Sequence, residues 1–467
     1  MINIEWLEKL LETVADHGRE LIGIKEGSDK SQFTDALLCH RLVDGKGEAT
    51  NIALAREILQ RWQGKNDGEK LAFLQLLAKQ FGFNKAAIEQ AIAGYDSDDP
   101  KTLARLIALS EAPRQELFRR LNMAPNGTGV LVAMRTFLLE QLPTSPQLQD
   151  VDADFRHLLA SWFNRGFLQL QRIDWHTSAT ILEKLIEFEA VHPMEGWDDL
   201  RRRLHDKDRR CFGFFHPALP NVPLIFIEVA LTCEMSNSIA QLVDPKAQVN
   251  EQQQPDTAVF YSINNALSGL RGVSFGNFLI KQVAEELKDE FPQIKRFVTL
   301  SPMPLMVKSL QEMFDVNSKR YSAEQRASNI AEISQLLEKD SGSDLGNGNE
   351  SESQLTWERL EFSVKQDPQL LHKLCLYYLA VLKRTDTALD PVAHFHLSNG
   401  ACLQRINIAA NTSLRGQAES WGCMVNYLYE DERVVSNHEA YVCASSIALS
   451  KELQRQFKQL MSTIKSD

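Results

Sequence analysis

The stretch from Phe260 to Pro304, FYSINNALSGLRGVSFGNFLIKQVAEELKDEFPQIKRFVTLSPMP, constrains the fold more than any other part of this chain. It predicts a strand, a glycine-bearing loop, a helix and a second strand. Phe278, Ile280, Val283 and Leu287 fall on one helical face, with Lys281, Glu285, Glu286, Lys288 and Asp289 elsewhere, and Pro292 stops the helix. Gly269, Gly272 and Gly276 precede it, so the backbone can turn tightly and present free amides at the positively polarised helix start. That describes a phosphate cradle, with Arg271 as a cation beside it, although three glycines before a helix are also ordinary loop chemistry.

With 467 residues the chain is long enough for two or three domains, and we expect two. A hydrophobic content of 43% and a charged content of 24% are those of an ordinary soluble globular protein. The net charge of −11 argues against broad binding to nucleic acid or to an anionic membrane, so an anionic ligand must be met locally. The densest basic cluster, Arg201, Arg202, Arg203, Lys207, Arg209 and Arg210, reads first as a solvated helix face and second as a phosphate site. Seven cysteines without C-x-x-C spacing argue for reduced thiols in a cytoplasm-like compartment and give no zinc pattern. The N-terminal stretch reads as an acidic amphipathic helix rather than a secretion signal. The strongest apolar run, PLIFIEVALT, is interrupted by Glu228, so no membrane span is expected.

From residue 2 to about 172 the apolar spacing is repeatedly helical, with one start marked by Asp99-Pro100. The expected architecture is a helical bundle over 1–173, suited to scaffolding and oligomer contact. A mixed domain follows over 174–467, with a polar insert near 340–355. Strands are expected from Cys211 onward: CFGFFH, PLIFIEVALT and AVFYSI, the first two joined by a hairpin-like connection bearing Pro217, Pro220 and Pro223. Leu370 to Val381 reads as an apolar helix, His394 to Leu397 as strand-like before a turn at Ser398-Asn399-Gly400, and Met424 to Tyr429 as a strand buried on both faces.

Five ordered segments, HPALPNVPLIFIEVALT, YSINNALSGLRGVSFGNFLIKQV, FVTLSPMP, HLSNGACLQRIN and GCMVNYLYE, resemble the malonyl-CoA decarboxylase family. The resemblance covers about residues 175 to 445, and the helical half is similar in kind to that family's N-terminal oligomerisation domain. It implies an α+β chain: a helical bundle followed by an acetyltransferase-like (GNAT-type) mixed α/β domain, assembled as a dimer or tetramer. It also implies malonyl-CoA as substrate and no metal or organic cofactor. The serine of S-P-x-P is Ser301 and the histidine of H-L-x-N-G-A is His396, with Tyr429 and Asn399 as supporting donors. The acyl-CoA loop is Arg271, Gly272, Val273, Ser274, Phe275, Gly276 and Asn277. Two departures stand out. Animal-type members carry an acidic residue at the position of Ser274, and Leu305-Met306 replaces a more usual glycine and phenylalanine.

Loss of CO₂ from malonyl-CoA leaves an enolate on the thioester, so a site for it must stabilise that oxygen and protonate C2. Residue type alone leaves blander readings open. Ser301 before a proline can be a turn residue, His396 a core histidine, Glu228 a structural carboxylate, and His216 before Pro217 could be either. Two other functions use the same loop: an acyltransferase with an amine acceptor, and a non-catalytic acyl-CoA sensor.

Overall fold

The computed structural model describes residues 9–10, 12–16, 34–244, 254–273, 279–340 and 355–464. Ser274, Phe275, Gly276 and Asn277, most of the N-terminal stretch and the insert at 341–354 lie outside the described residues. The chain forms two compact units. One holds residues up to Gln169 together with Phe214–Ile225 and Asn265–Gly276, and the other holds Leu170–Gly213, Phe226–Asn264 and Asn277–Asp467.

The first unit is built from short amphipathic helices, among them Glu48–Gln63, Asp67–Gln80, Pro113–Asn122, Gly127–Gln141 and Gln149–Trp162. Two of the starts in this unit carry clear local signals. Asn66 and Glu69 form a reciprocal capping box, and Asp99 caps the Pro100–Leu109 helix with proline at its first turn. Leu54, Ile58, Trp62, Leu74, Leu77, Phe118 and Phe155 fill the core, Phe118 stacking on Phe155 at 4.1 Å. The loop that enters the acyl-CoA motif packs here. Arg135 donates to the Gly269 carbonyl at 2.7 Å, and a Cβ on Gly269 would lie 2.1 Å from the Val132 carbonyl. Gly269 is therefore required by its approach to the Gly127–Gln141 helix, not by a phosphate.

The second unit is organised on an eight-stranded mixed sheet. Its strands are β1 (Gln169–Ile173), β2 (Arg209–Phe215), β3 (Ile225–Thr232), β4 (Thr257–Asn265), β5 (Arg296–Thr299), β6 (Ser301–Pro302), β7 (Lys383–Arg384), β8 (Thr387–Ala388), β9 (Cys402–Asn407) and β10 (Met424–Tyr429), with β7 and β8 forming a separate pair. The spatial order is β1-β2-β3-β4-β5-β10-β6, and β9 also pairs with β10. Strands thus begin at Gln169, earlier than the sequence pattern indicated, because β1 is an exposed edge with only its last residue buried and so lacks an apolar signature. Between β4 and β5 the Leu279–Glu290 helix buries Leu279, Ile280, Val283, Ala284 and Leu287, so the expected helix and both strands are present. β4 and β5 run parallel from Thr257–Arg296 to Phe260–Thr299, after which β4 extends beyond β5 to Asn265. On one sheet face Val259, Tyr261, Val298, Leu300 and Met424 share a dry core with Ala230, Ile239, Leu242 and Ala410.

Two expectations fail for clear reasons. His394 to Leu397 is not a strand but part of the Pro391–Ser398 helix, which opens on Asp390-Pro391. The basic cluster is a solvated face only at Arg201 and Lys207, which are exposed. Arg202 reaches Asp206 and Asp208, Arg203 reaches Glu228, Arg209 reaches Asp208 and the Leu242 carbonyl, and Arg210 reaches Glu290. Arg202, Arg203 and Arg209 are buried, their charges already met. Glu228 is fully buried with Arg203, and the half-buried His216 accepts from the Ala218 amide while packing on Phe163.

Candidate active site

Strand β10 builds the site by alternation. Met424, Asn426 and Leu428 face the dry core and the Arg405 guanidinium, which puts Tyr427 and Tyr429 on the opposite face. There the Pro391–Ser398 helix delivers His396, whose ring stacks on Tyr427 at 4.6 Å and 25°. Asn426 donates to the Thr299 carbonyl at 2.7 Å and accepts from Arg405 at 3.0 Å and Asn407 at 2.8 Å, which fixes β10 against the end of β5. Ser301 lies in β6, opposite Val425 of β10.

These placements produce one chain of hydrogen bonds. The Ser301 Oγ lies 2.9 Å from His396 Nε2, and His396 Nδ1 lies 2.8 Å from the Tyr429 hydroxyl. Ser301 also donates to Thr299 Oγ1 at 2.9 Å, and that oxygen accepts the Tyr427 backbone amide. Thr299 and Tyr427 thus orient the serine and the ring. Neither stands out in the sequence, since a threonine ending a strand and a tyrosine within one are ordinary strand residues; the only signal is their position two residues from Ser301 and Tyr429 on the same faces. Burial governs the electrostatics. It lowers the His396 pKa to about 3 and pushes the Tyr429 phenol well above its ordinary value, so both are neutral at neutral pH.

Asn399 is the C-cap of the His396 helix, and its side-chain amide donates to the Phe395 carbonyl at 2.7 Å. Gly400 follows in a left-handed conformation, φ +82°, with the Val434 carbonyl where a Cβ would be, so the turn at 398–400 requires glycine. Of the loop residues, Arg271 is exposed, Gly272 adopts φ +76°, and Val273 is buried. Met306 is fully buried beside the Cys375 sulfur, so the Leu305-Met306 departure fills core volume next to the serine loop.

The comparisons concern the chain as a whole. The family described as malonyl-CoA decarboxylase C-terminal domain matches residues 166–467, and the malonyl-CoA decarboxylase N-terminal domain matches residues 81–163. The chain is 33% identical over 417 residues to mitochondrial malonyl-CoA decarboxylase of Rattus norvegicus, covering 85% of this chain and 83% of the relative. The corresponding protein of Anser anser anser is 34% identical over 415 residues, covering 85% and 82%. Among solved structures, malonyl-CoA decarboxylase from Rhodopseudomonas palustris is 42% identical with a TM-score of 0.76, covering 90% of this chain and 98% of that one. The one from Agrobacterium vitis is also 42% identical, with a TM-score of 0.75 and coverage of 90% and 99%. With both of its halves matched in order and five-sixths of its length aligned to full-length relatives, the chain belongs to the malonyl-CoA decarboxylase family.

Proposed function

We propose that this chain converts malonyl-CoA to acetyl-CoA and CO₂, with Ser301 and His396 handling the proton and Tyr429 holding the far side of the imidazole. The observation that carries the reading is the unbroken Ser301–His396–Tyr429 hydrogen-bonded chain. A buried imidazole with a pKa near 3 is a poor acid by itself, but an adjacent carboxylate favours its charged form. The malonyl carboxylate is that partner. When it docks, His396 takes up a proton from solvent, Nδ1–H then donating to Tyr429 and Nε2–H to Ser301. Cleavage of the C2–C3 bond releases the carboxylate as CO₂ and leaves its electron pair on the enolate of the thioester. The partner charge has gone, and the imidazolium becomes strongly acidic. Ser301 gives its hydroxyl proton to C2 and takes the Nε2 proton in return, so His396 ends neutral as it began.

Arg271 and the 272–277 loop are the proposed site for the coenzyme phosphates, supported by the exposed guanidinium and the left-handed Gly272. Self-association of the helical unit is supported by apolar side chains left on its surface, among them Ile92 at 59% and Ile107 at 61% exposure, with Tyr95 and Leu103. All seven cysteines are free, which fits the reducing compartment behind the cytoplasmic reading; the two animal relatives are mitochondrial. Among the described residues no helix is long and apolar enough to cross a membrane.

The test is product analysis on purified protein with malonyl-CoA. Acetyl-CoA and CO₂ should form without an added acceptor, and Ser301→Ala and His396→Ala should each lower kcat by about a hundredfold or more. The wild-type kcat should fall as pH rises through the substrate-bound pKa of His396, and His396→Gln should lack that limb. A limb that survives the substitution would assign the proton to another group. Arg271→Ala should raise KM more than it lowers kcat.

A further inference from the structure

Thr299 ends β5 fully buried, and its hydroxyl touches both Ser301 and strand β10. Strand β10 pairs with β6 at Met424–Pro302 and Val425–Ser301, and with β5 at Leu428–Val298 and Tyr429–Phe297. All four pairs keep one register, so Asn426 and Tyr427 lie opposite Leu300 and Thr299. There side chains take over from the ladder. The Tyr427 amide donates to Thr299 Oγ1 at 3.2 Å, and the Asn426 side chain donates to the Thr299 carbonyl at 2.7 Å. Asn426, also fully buried, is held in turn by Arg405, Asn407 and the Ser236 carbonyl. These bonds fix Thr299 in place, and the amide that meets its oxygen can only donate.

A threonine hydroxyl has one proton and two lone pairs. In the free protein those lone pairs receive the Tyr427 amide and, at 2.9 Å, the Ser301 hydroxyl. Among the described residues Thr299 Oγ1 has no other partner that could take its own proton, and a buried donor without an acceptor is costly. The amide bond cannot reverse, but a bond between two hydroxyls can. We infer that Thr299 is a positioning residue that turns its hydroxyl to donate to Ser301 when malonyl-CoA docks, and so aims the serine proton at C2. In that state Ser301 Oγ receives the His396 Nε2–H on one lone pair and the Thr299 hydroxyl on the other, and its own proton is left pointing at the substrate carbon. As that proton passes to C2 of the enolate, the Nε2 proton moves to Oγ, and the Thr299 bond meets the negative charge that builds on the oxygen in between. Thr299 keeps its proton throughout and acts only through Ser301, so the step balances as before.

The inference rests on the Ser301 and His396 assignment, and the test is kcat and KM for malonyl-CoA in the full-length protein. Thr299→Val keeps the shape and removes the hydroxyl; it should fold by circular dichroism and lower kcat about tenfold, with KM changed by less than about threefold. Thr299→Ser keeps the hydroxyl and loses a methyl group, and should recover kcat to within about threefold of the wild-type value. Packing alone would rank the two variants the other way, because serine leaves a cavity and valine does not. In a Ser301→Ala background Thr299→Val should cost less than about twofold further, because the proton it aims is gone. Full kcat in folded Thr299→Val, a Thr299→Ser enzyme as slow as Thr299→Val, or an undiminished loss in the Ser301→Ala background would overturn the inference. Should Thr299→Val fail to fold, Thr299→Ala against Thr299→Ser decides, and equal kcat in that pair overturns it. If Ser301→Ala and His396→Ala are themselves fully active, the assignment beneath fails instead, which the same assay reports separately.

Discussion

Two buried polar networks lie in the same unit and follow opposite electrostatic plans. Around Ser301, His396 and Tyr429 the groups are neutral in the free protein, burial lowering the His396 pKa and raising that of Tyr429. Around Arg203 the groups are charged. Glu228 pairs with Arg203 at 2.9 Å, and Glu189 lies 3.9 Å from it while accepting Ser262, Asn264 and the His192 amide. Two carboxylates then share one buried guanidinium. Burial, together with the Glu189 charge, raises the Glu228 pKa to about 7 despite the attraction of Arg203. The difference separates a site from a brace. A neutral network has protonation states that an arriving charge can shift, whereas the ionic one already holds its counter-charge inside the protein, even though Glu228 Oε1 and Arg203 Nε find no hydrogen bond.

The largest effect that would sharpen this contrast is on stability. Arg203→Met should destabilise the protein by about 3 to 5 kcal/mol in urea denaturation, because it strands buried carboxylates. The penalty should shrink as pH falls through about 7, where Glu228 takes up its proton. A cost under about 1 kcal/mol at pH 8 would mean that the brace is not ionic. His396→Gln should do the reverse, moving stability by less than about 1.5 kcal/mol while removing most of kcat.

The pH dependence of stability should also have opposite signs in the two networks. Glu228 is raised in the fold from about 4.5 to about 7, so its contribution is fully present below 4.5 and is lost as pH rises toward 7. His396 is lowered from 6.5 to about 3, so its contribution is fully present above 6.5 and is lost as pH falls toward 3. Glu228→Gln should flatten the first slope and His396→Gln the second, by denaturation at a series of pH values. If either variant leaves its slope unchanged, the titrating group lies elsewhere. The smallest effect concerns Asp99, the half-buried cap in the helical unit: Asp99→Ala should cost about 1 kcal/mol and leave kcat untouched.

Much of the fold is legible in the residues because its signals are local. The strand, loop, helix and strand from Phe260 to Thr299 follow from spacing, as do the apolar Pro368–Ala380 helix and the doubly buried β10. Where a signal depends on partners it misleads. Arg202, Arg203, Arg209 and Arg210 look solvated until Asp206, Asp208, Glu228 and Glu290 are found beside them, and Gly269 looks like part of a phosphate loop until Val132 is seen against it. Ser301 and His396 were found through ordered motifs, but Thr299 and Tyr427, which orient them, lie in strands whose patterns carry no mark of function.

The Asp-Pro pair shows where the division falls. It occurs four times, and at Asp99-Pro100, Asp367-Pro368 and Asp390-Pro391 it opens a helix, since the aspartate satisfies free amides and proline presets the first turn, whereas the Asp244 of Asp244-Pro245 closes the short Ala240–Val243 helix. The sequence by itself determined that much, including a helix under His396 that its apolar neighbours disguise as a strand. Only the tertiary structure decided that the last pair would be buried, with the Tyr378 hydroxyl brought to its carboxylate from 12 positions earlier in the chain. Capping is settled within four residues by backbone geometry. Burial and long-range donors depend on how distant segments pack, and no local pattern encodes that.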